Sequence, residues 1–353
     1  MEIWRKILIL AIVVLFSYIL WRLLIRRNEI LQKQQQPLKE NFTPIADPVT
    51  IGNLNINALT KTNGITNPNT AKQLKQFVIK ASYHTCYDGA DLSASMVGYA
   101  LSRGYRWLDF CTENGTTICY TTDDTLNGKA TTSEEVKFED IGKYISNGFI
   151  SSDAPNSGDP LFIQFRPLWT PDNTANNERL KSSISRFNEY QLPIYKGTLN
   201  ETTTIDQLMG KIVFVIYQPN NNNPINSVGD IPILNANNNT SMTTQSMNNI
   251  SQLQAPLPLT IADGFTTSPP NKIYQILPTG STANSDVYST IQRIGSQITP
   301  MCIWSNDTHL TNYESIFNNS RAGIVPLSTV LKYTKENDPN VISSNYPGAF
   351  AGK

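Results

Sequence analysis

Few side chains in this sequence can exchange a proton near neutral pH, which bounds the chemistry available to it. There are two histidines, His84 and His309, and imidazole is the side chain whose ordinary ionisation falls between about pH 5 and about pH 8. Four cysteines, Cys86, Cys111, Cys119 and Cys302, stand at irregular spacing with no CxxC pair. Structural zinc wants tight ligand pairs and usually histidines, so no such site is indicated. Gly98, Gly104 and Gly115 are too scattered for a phosphate-cradling loop, and no GxxxxGK(S/T) run occurs. Ser82 lacks the GxSxG context of a hydrolase nucleophile. Asp123 and Asp124 read as a solvated loop pair rather than an acid/base dyad. Residue type alone leaves His84 and His309 as the side chains for acid–base work near neutral pH.

These residues have to be held by elements that the apolar pattern can locate. Phe77-Val78-Ile79 reads as a short buried strand, Leu92 to Ser102 as a helix, and Tyr105 to Phe110 as the next strand. Phe138, Ile141, Ile145 and Phe149 recur at helical spacing over 138–150, and Leu161 to Phe165 reads as a further strand. Strands alternating with helices predict a parallel α/β sheet. Residues 28–75, rich in Gln, Asn, Thr and Pro without a sustained apolar period, read as an extended linker. Residues 218–262 read as an Asn-rich insertion outside the core, and 336–353 as a C-terminal tail.

Two stretches carry a family resemblance. Lys80-Ala81-Ser82-Tyr83-His84-Thr85 and Gly104-Tyr105-Arg106-Trp107-Leu108-Asp109-Phe110-Cys111, running on to Asp124-Thr125-Leu126, resemble the X region of phosphatidylinositol-specific phospholipase C. Gly210-Lys211-Ile212-Val213-Phe214-Val215 resembles the segment that closes that region. Leu277-Pro278-Thr279-Gly280, Pro300 to Trp304, and Tyr313 to Phe317 with Gly323 to Leu327 resemble the turn, penultimate strand, last loop and last strand of the Y region. The resemblance implies a phosphodiesterase (β/α)8 barrel of the TIM type over 76–335.

The resemblance also implies roles that the residues do not fill. Family members cleave phosphoinositides with two histidines, backed by calcium on carboxylates or by an arginine. The first histidine falls on Tyr83, with His84 beside it, and the second falls on Asp124. The calcium carboxylates fall on Asp109, Cys111 and Arg166, the substrate lysines on Val215 and Tyr217, and an arginine on Gln275. A tyrosine is a poor base at neutral pH, a thiol is a poor ligand for a hard cation, and an ionised aspartate cannot donate a proton. If His84 faced the site, the strand would have slipped by one residue and turned its other side chains over. Arg166 is expected to pair with Asp109 or Asp124 in place of the metal, since a charge buried at a barrel rim needs a partner. A Cys86–Cys111 disulfide is conceivable between adjacent strand ends.

The run Ile7 to Ile25, interrupted by Ser17, Tyr18 and Arg22, would span roughly 28 Å as a helix. With Trp4, Trp21 and basic flanks it reads as a single transmembrane anchor over 1–27 rather than a cleaved signal. Lysine plus arginine equals aspartate plus glutamate, 28 each, so no global charge favours nucleic acid. The leading expectation is a single-pass membrane protein with a catalytically degenerate barrel and no cofactor, serving a structural role or binding protein partners. Its asparagine-rich loops resemble those of proteins encoded by large DNA viruses, which implies a virion membrane component. The alternatives are an active phosphodiesterase, with His84 as base, Asp109 on calcium and Arg166 against phosphate, and a lipid-headgroup binder.

Overall fold

The structure, a computed structural model, describes Arg22 and residues 72–122, 129–132, 135–150, 158–170, 172–200, 202–218, 225–236, 241–246, 261–262, 265–266, 272–278 and 284–338. Residues 72–338 belong to one compact unit, Thr43–Lys353. Among the described residues no helix is long and apolar enough to cross a membrane. The run Ile7–Ile25, apart from Arg22, lies outside them, as does the linker up to residue 71.

The first half of the unit contains β1 (Phe77–Ile79), α1 (Ser95–Ser102), β2 (Trp107–Thr112), β3 (Thr117–Ile118), β4 (Val136–Lys137), α2 (Phe138–Ile150), β5 (Leu161–Pro167) and α3 (Thr174–Ser185). There follow α4 (Ile205–Leu208), β6 (Ile212–Ile216), β7 (Ser227–Val228), β8 (Ile231–Asn235), β9 (Met242–Ser246), β10 (Ile261–Ala262) and β11 (Phe265–Thr266). Last come β12 (Ile273–Leu277), α5 (Val287–Ile294), α6 (Thr308–Ser320), β13 (Ile324–Pro326) and α7 (Leu327–Asn337).

Strands β2, β5, β6 and β8 form parallel ladders in that order, with β7 antiparallel at the β8 edge. Every residue of β2, β5 and β6 is buried, as expected of a parallel sheet covered on both faces. β9 and β12 form a second parallel pair. Isolated parallel bridges link Gln275 to Ile298, Ile298 to Ile79, Met301 to Ser82, and Ala81 to Trp107. A hydrogen-bonded path therefore runs from β9 through β12, the 298–301 segment and β1 to β2. Next to β8, the Ala236 carbonyl accepts from Thr244 Oγ1 of β9 at 2.7 Å.

The ladder register sorts the core into layers. Trp107 lies opposite Phe162, and Phe162 opposite Val213, while Ile273 pairs with Met242. These five residues share one buried apolar cluster with Ile79, Leu234, Ile298 and Ile324. Two residues further along each strand, on the same face, stand Asp109, Gln164, Val215, Gln275 and Thr244. Four of those five are polar, so an apolar floor supports a polar layer.

Helices cover the sheet as the sequence pattern predicts. Phe138, Ile141, Ile145 and Phe149 of α2 are all buried. α3 and α6 begin at Asn173 and Asp307, whose side chains accept from the Asn176 and Leu310 amides. Gly115 makes one close approach possible. Its φ is +79°, and a Cβ there would lie 2.6 Å from the Asn176 carbonyl oxygen in α3.

Several expectations need correction. The 218–262 segment is not outside the core: it supplies β7, β8 and β9, and Leu234, Ala236 and Met242 pack into the main cluster. Its apolar residues are few, Ile231, Ile233 and Leu234 in β8 and Met242 alone in β9, and the surrounding asparagines obscure them. The domain starts before residue 76, since Leu74 is buried and its amide bonds the Thr203 carbonyl at 2.8 Å. Tyr313 to Phe317 lies in helix α6 rather than a loop, because Asp307 caps that helix. Pro300 to Trp304 forms no named strand; pairing there is confined to the bridges at Ile298 and Met301. Leu92 bridges back to Tyr87, so α1 begins only at Ser95. Cys86, Cys111, Cys119 and Cys302 are all free and buried, which excludes the Cys86–Cys111 disulfide.

Candidate functional site

The polar layer centres on Asp109, which is fully buried on β2. Arg166, two residues beyond Gln164 on β5, turns its guanidinium onto that carboxylate. Its Nε lies 2.8 Å from Oδ1 and 3.0 Å from Oδ2. The Gln164 amide donates to Oδ1 at 2.9 Å, and the His84 backbone N–H donates to Oδ2 at 3.1 Å. The Asp109 backbone is held as well, its amide on Thr85 Oγ1 at 2.9 Å and its carbonyl on the Thr85 amide at 2.8 Å. Ser82 Oγ lies 2.6 Å from the same Thr85 hydroxyl.

The network continues across the core. Gln275 on β12 donates from Nε2 to Gln164 Oε1 at 2.8 Å, and Thr244 Oγ1 on β9 lies 2.9 Å from Gln275 Oε1. Gln164 thus joins Asp109 to Gln275, both of them fully buried. Buried polar groups on this scale are stable only when they satisfy one another.

His84 lies five residues past β1, just beyond the bridges at Ala81 and Ser82, with φ at +45°, in the left-handed region. The Tyr87 amide bonds its carbonyl at 2.8 Å, so the chain is turning at this point. The strand alternation that would set Tyr83 and His84 on opposite faces has therefore already ended, and both reach Arg166. The guanidinium carbon stands 4.4 Å from the Tyr83 ring centre. Arg166 Nη2 lies 3.1 Å from His84 Nε2. Arginine can only donate, so Nε2 accepts and the proton of this neutral imidazole sits on Nδ1. The lone pair a general base would use is thus engaged by a cation.

Aromatic rings close over this group. His84 meets Tyr83 and Tyr120 edge-on at 4.5 and 5.0 Å, and Tyr120 stacks on Tyr87 at 3.7 Å. Trp304 stands edge-on to Tyr87 at 5.0 Å. Tyr83 packs with Leu277 and Cys302, with Tyr217 and Trp304 against them. Tyr83, Asp109 and Gln164 are fully buried, and His84 and Arg166 are each 2 % exposed.

The other sequence candidates fall around this centre or away from it. Cys111 gives its thiol to the Arg166 carbonyl at 3.4 Å and packs with Cys119 and Leu168. Val215 is in the apolar core, and Tyr217 is partly buried over it. Asp124 lies outside the described residues, and His309 lies in the first turn of α6. Calcium does not fit the residues present. Both Asp109 oxygens are occupied by N–H donors, and the neighbouring position is a thiol. Among the described residues no cluster of three or more His, Cys, Asp or Glu could hold a metal. The sequence reading missed Gln164, Thr244, Tyr87, Tyr120 and Trp304. The register relating Gln164 to Asp109 was the signal for the first.

Comparison with protein-family models finds no match, and neither does comparison with the curated proteins. Solved structures do match. The crystal structure of L. pealei PLC21 superposes with a TM-score of 0.51 at 13% identity, over 72% of this chain. That of S. officinalis PLC21 gives 0.50 at 15% identity, also over 72%. This chain has a phospholipase-C-like α/β fold. It spans only 37% of the length of either of those proteins. Phosphatidylinositol-specific phospholipase C from Listeria monocytogenes matches at TM-score 0.40 and 13% identity, over 71% of this chain and 96% of its own.

Proposed function

We propose that this phospholipase-C-like domain is a closed barrel without phosphodiesterase activity, acting as a structural or interaction protein. The observation that carries the proposal is the buried grip of Arg166 on Asp109 and His84. Phosphodiester cleavage needs a base with a free lone pair, an acid, and positive charge facing the phosphate. Here the lone pair, the carboxylate and the positive charge satisfy one another under Tyr83. Closure of the barrel is supported by the bridges from β12 to β2 and by the Gln164–Gln275 bond between β5 and β12.

Anchoring through Ile7–Ile25 is part of the proposal and rests on the sequence. A role in a virion membrane rests on the resemblance to viral proteins alone. Protein partners are expected at the linker and at the asparagine-rich loops. The test is hydrolysis of phosphatidylinositol in mixed micelles by the full chain, with and without calcium, beside His84→Ala. The expected result is no turnover by a protein whose circular dichroism shows it folded. Turnover abolished in His84→Ala would overturn the proposal and establish an active phosphodiesterase.

A further inference from the structure

A second polar assembly lies on the outer face, where the β3–β4 hairpin, the start of α2 and one side of α3 surround an open cavity of about 370 Å³. Lys137, Arg179 and Arg186 line it with Glu139, Thr117 and Ser182. Arg179 and Ser182 stand at positions i and i+3 of α3 and so share one helical face, and Arg186 follows just past the helix end. Phe138, buried, is the apolar part of the lining.

The charges in this cavity do not cancel. Glu139 is paired with Arg186. Among the described residues neither Lys137 nor Arg179 has a carboxylate partner; Arg179 reaches only the Asn176 side-chain oxygen, at 3.4 Å. Nearby carboxylates on the same helices are engaged elsewhere, Asp140 with Lys143 at 3.3 Å and Glu178 with Lys181 at 2.7 Å. Three cations and one anion line the cavity, an excess of two positive charges. The first turn of α2 also opens onto it, adding the partial positive charge of a helix start.

The walls are fixed in advance. Gly115 brings the hairpin to within contact of α3, as only a residue without Cβ can. Ser183 Oγ bonds the Gly115 carbonyl at 2.7 Å, and Asn176 Nδ2 bonds the Glu113 carbonyl at 3.4 Å. A hollow of this volume with an excess of cationic side chains on its rim can take a small organic anion.

We infer that this cavity binds a phosphomonoester group, with Lys137 and Arg179 as its charge partners and the Thr117 and Ser182 hydroxyls beside them. The site is separate from the buried Asp109–Arg166 network, and it stands whether or not the barrel has activity. The phosphate could belong to a soluble metabolite or to a lipid headgroup; the recognition chemistry is the same.

The experiment is calorimetric titration of the full chain with glycerol 3-phosphate, with glycerol as the neutral control. Short-chain soluble phosphatidic acid, with short-chain phosphatidylcholine as its control, is titrated in parallel. Saturable binding of glycerol 3-phosphate but not glycerol is expected, weakened about tenfold or more in Lys137→Ala/Arg179→Ala. Both side chains are exposed, so that variant should keep the wild-type circular dichroism. Saturable binding of the phosphatidic acid but not of the phosphatidylcholine, tighter than that of glycerol 3-phosphate and lost in the same variant, would identify the lipid as the source. Absence of saturable binding by either probe would overturn the inference, as would binding that the double variant leaves unchanged.

Discussion

Arg166 decides how the centre of this fold is read, because its guanidinium is buried against Asp109 and His84. Asp109 supplies the counter-charge, its carboxylate held by hydrogen bonds from Arg166, Gln164 and His84. Removing one member of a buried ion pair leaves the other uncompensated, at a cost of about 3–5 kcal/mol. Asp109→Asn should therefore lower the urea-unfolding free energy by an amount in that range. Asp109→Asn/Arg166→Met, which removes both charges, should recover a substantial part of the loss. If the single variant were as stable as wild type, Asp109 would not be the counter-ion of Arg166. The sequence made this pairing legible in outline, since a cation stood where a metal carboxylate was expected. It did not reveal that His84 joins the same cluster. That follows from the left-handed backbone at His84, and a non-glycine residue carries no local signal for such a turn.

A second buried cluster ties secondary-structure elements together instead of filling a site. Lys80 follows β1, Arg103 follows α1, Glu314 lies in α6, and Tyr105 precedes β2. Lys80 Nζ lies 3.5 Å from Glu314 Oε1, Arg103 bonds the other oxygen, and Tyr105 donates to Oε1 at 2.7 Å. Burial would raise the Glu314 carboxyl, but Lys80 and Arg103 outweigh it and hold the group below its usual range. Burial, with Arg103 adding to it against the opposing pull of Glu314, brings the Lys80 ammonium down to about 8 from 10.5. Below pH 8 the folded and unfolded chains both carry this proton. Above it the unfolded chain keeps a proton that the folded one has released, so stability rises with pH, by at most about 1.4 kcal/mol per pH unit. The Cys86 thiol, pushed up from 9.0 by burial, offsets this rise once unfolded thiol ionises, and Tyr105, pushed well above its usual 10.0 by burial and Glu314, then reverses it. Urea unfolding from about pH 7 to about pH 9 should show the rise in wild type and lose it in Lys80→Met. A flat wild-type profile would contradict the linkage. Glu314→Gln should cost more than Lys80→Met at neutral pH, because it strands two cations. None of this was legible in the sequence, where the four residues lie up to 234 positions apart.

For the molecule as a whole, the question is whether residues 218–262 belong to the sheet or decorate it. Composition argued for decoration, because asparagine tracts hide strands as short as β8 and β9. The alternation of α2, β5 and β6 was easier to read, each having a long apolar period of its own. In the structure β8 continues the parallel order after β6, and β9 pairs with β12 over five residues. Leu234, Ala236 and Met242 share one apolar cluster with Trp107 and Phe162, and Thr244 ends the polar chain that starts at Asp109. Segments built into a core exchange their amide hydrogens only through large-scale opening, whereas surface insertions exchange by local fraying. Hydrogen exchange read by mass spectrometry should therefore show Ile231–Asn235 and Met242–Ser246 protected on the timescale of Ile212–Ile216. Leu234→Ala should destabilise the whole domain by about 2–5 kcal/mol, with protection falling in β5 and β6 as well as locally. Rapid exchange of both segments, with β5 and β6 unaffected by Leu234→Ala, would return 218–262 to the surface. The proposed barrel would then lack the strands that carry Thr244 and flank Gln275, and the polar layer under the non-catalytic reading would lose its far wall.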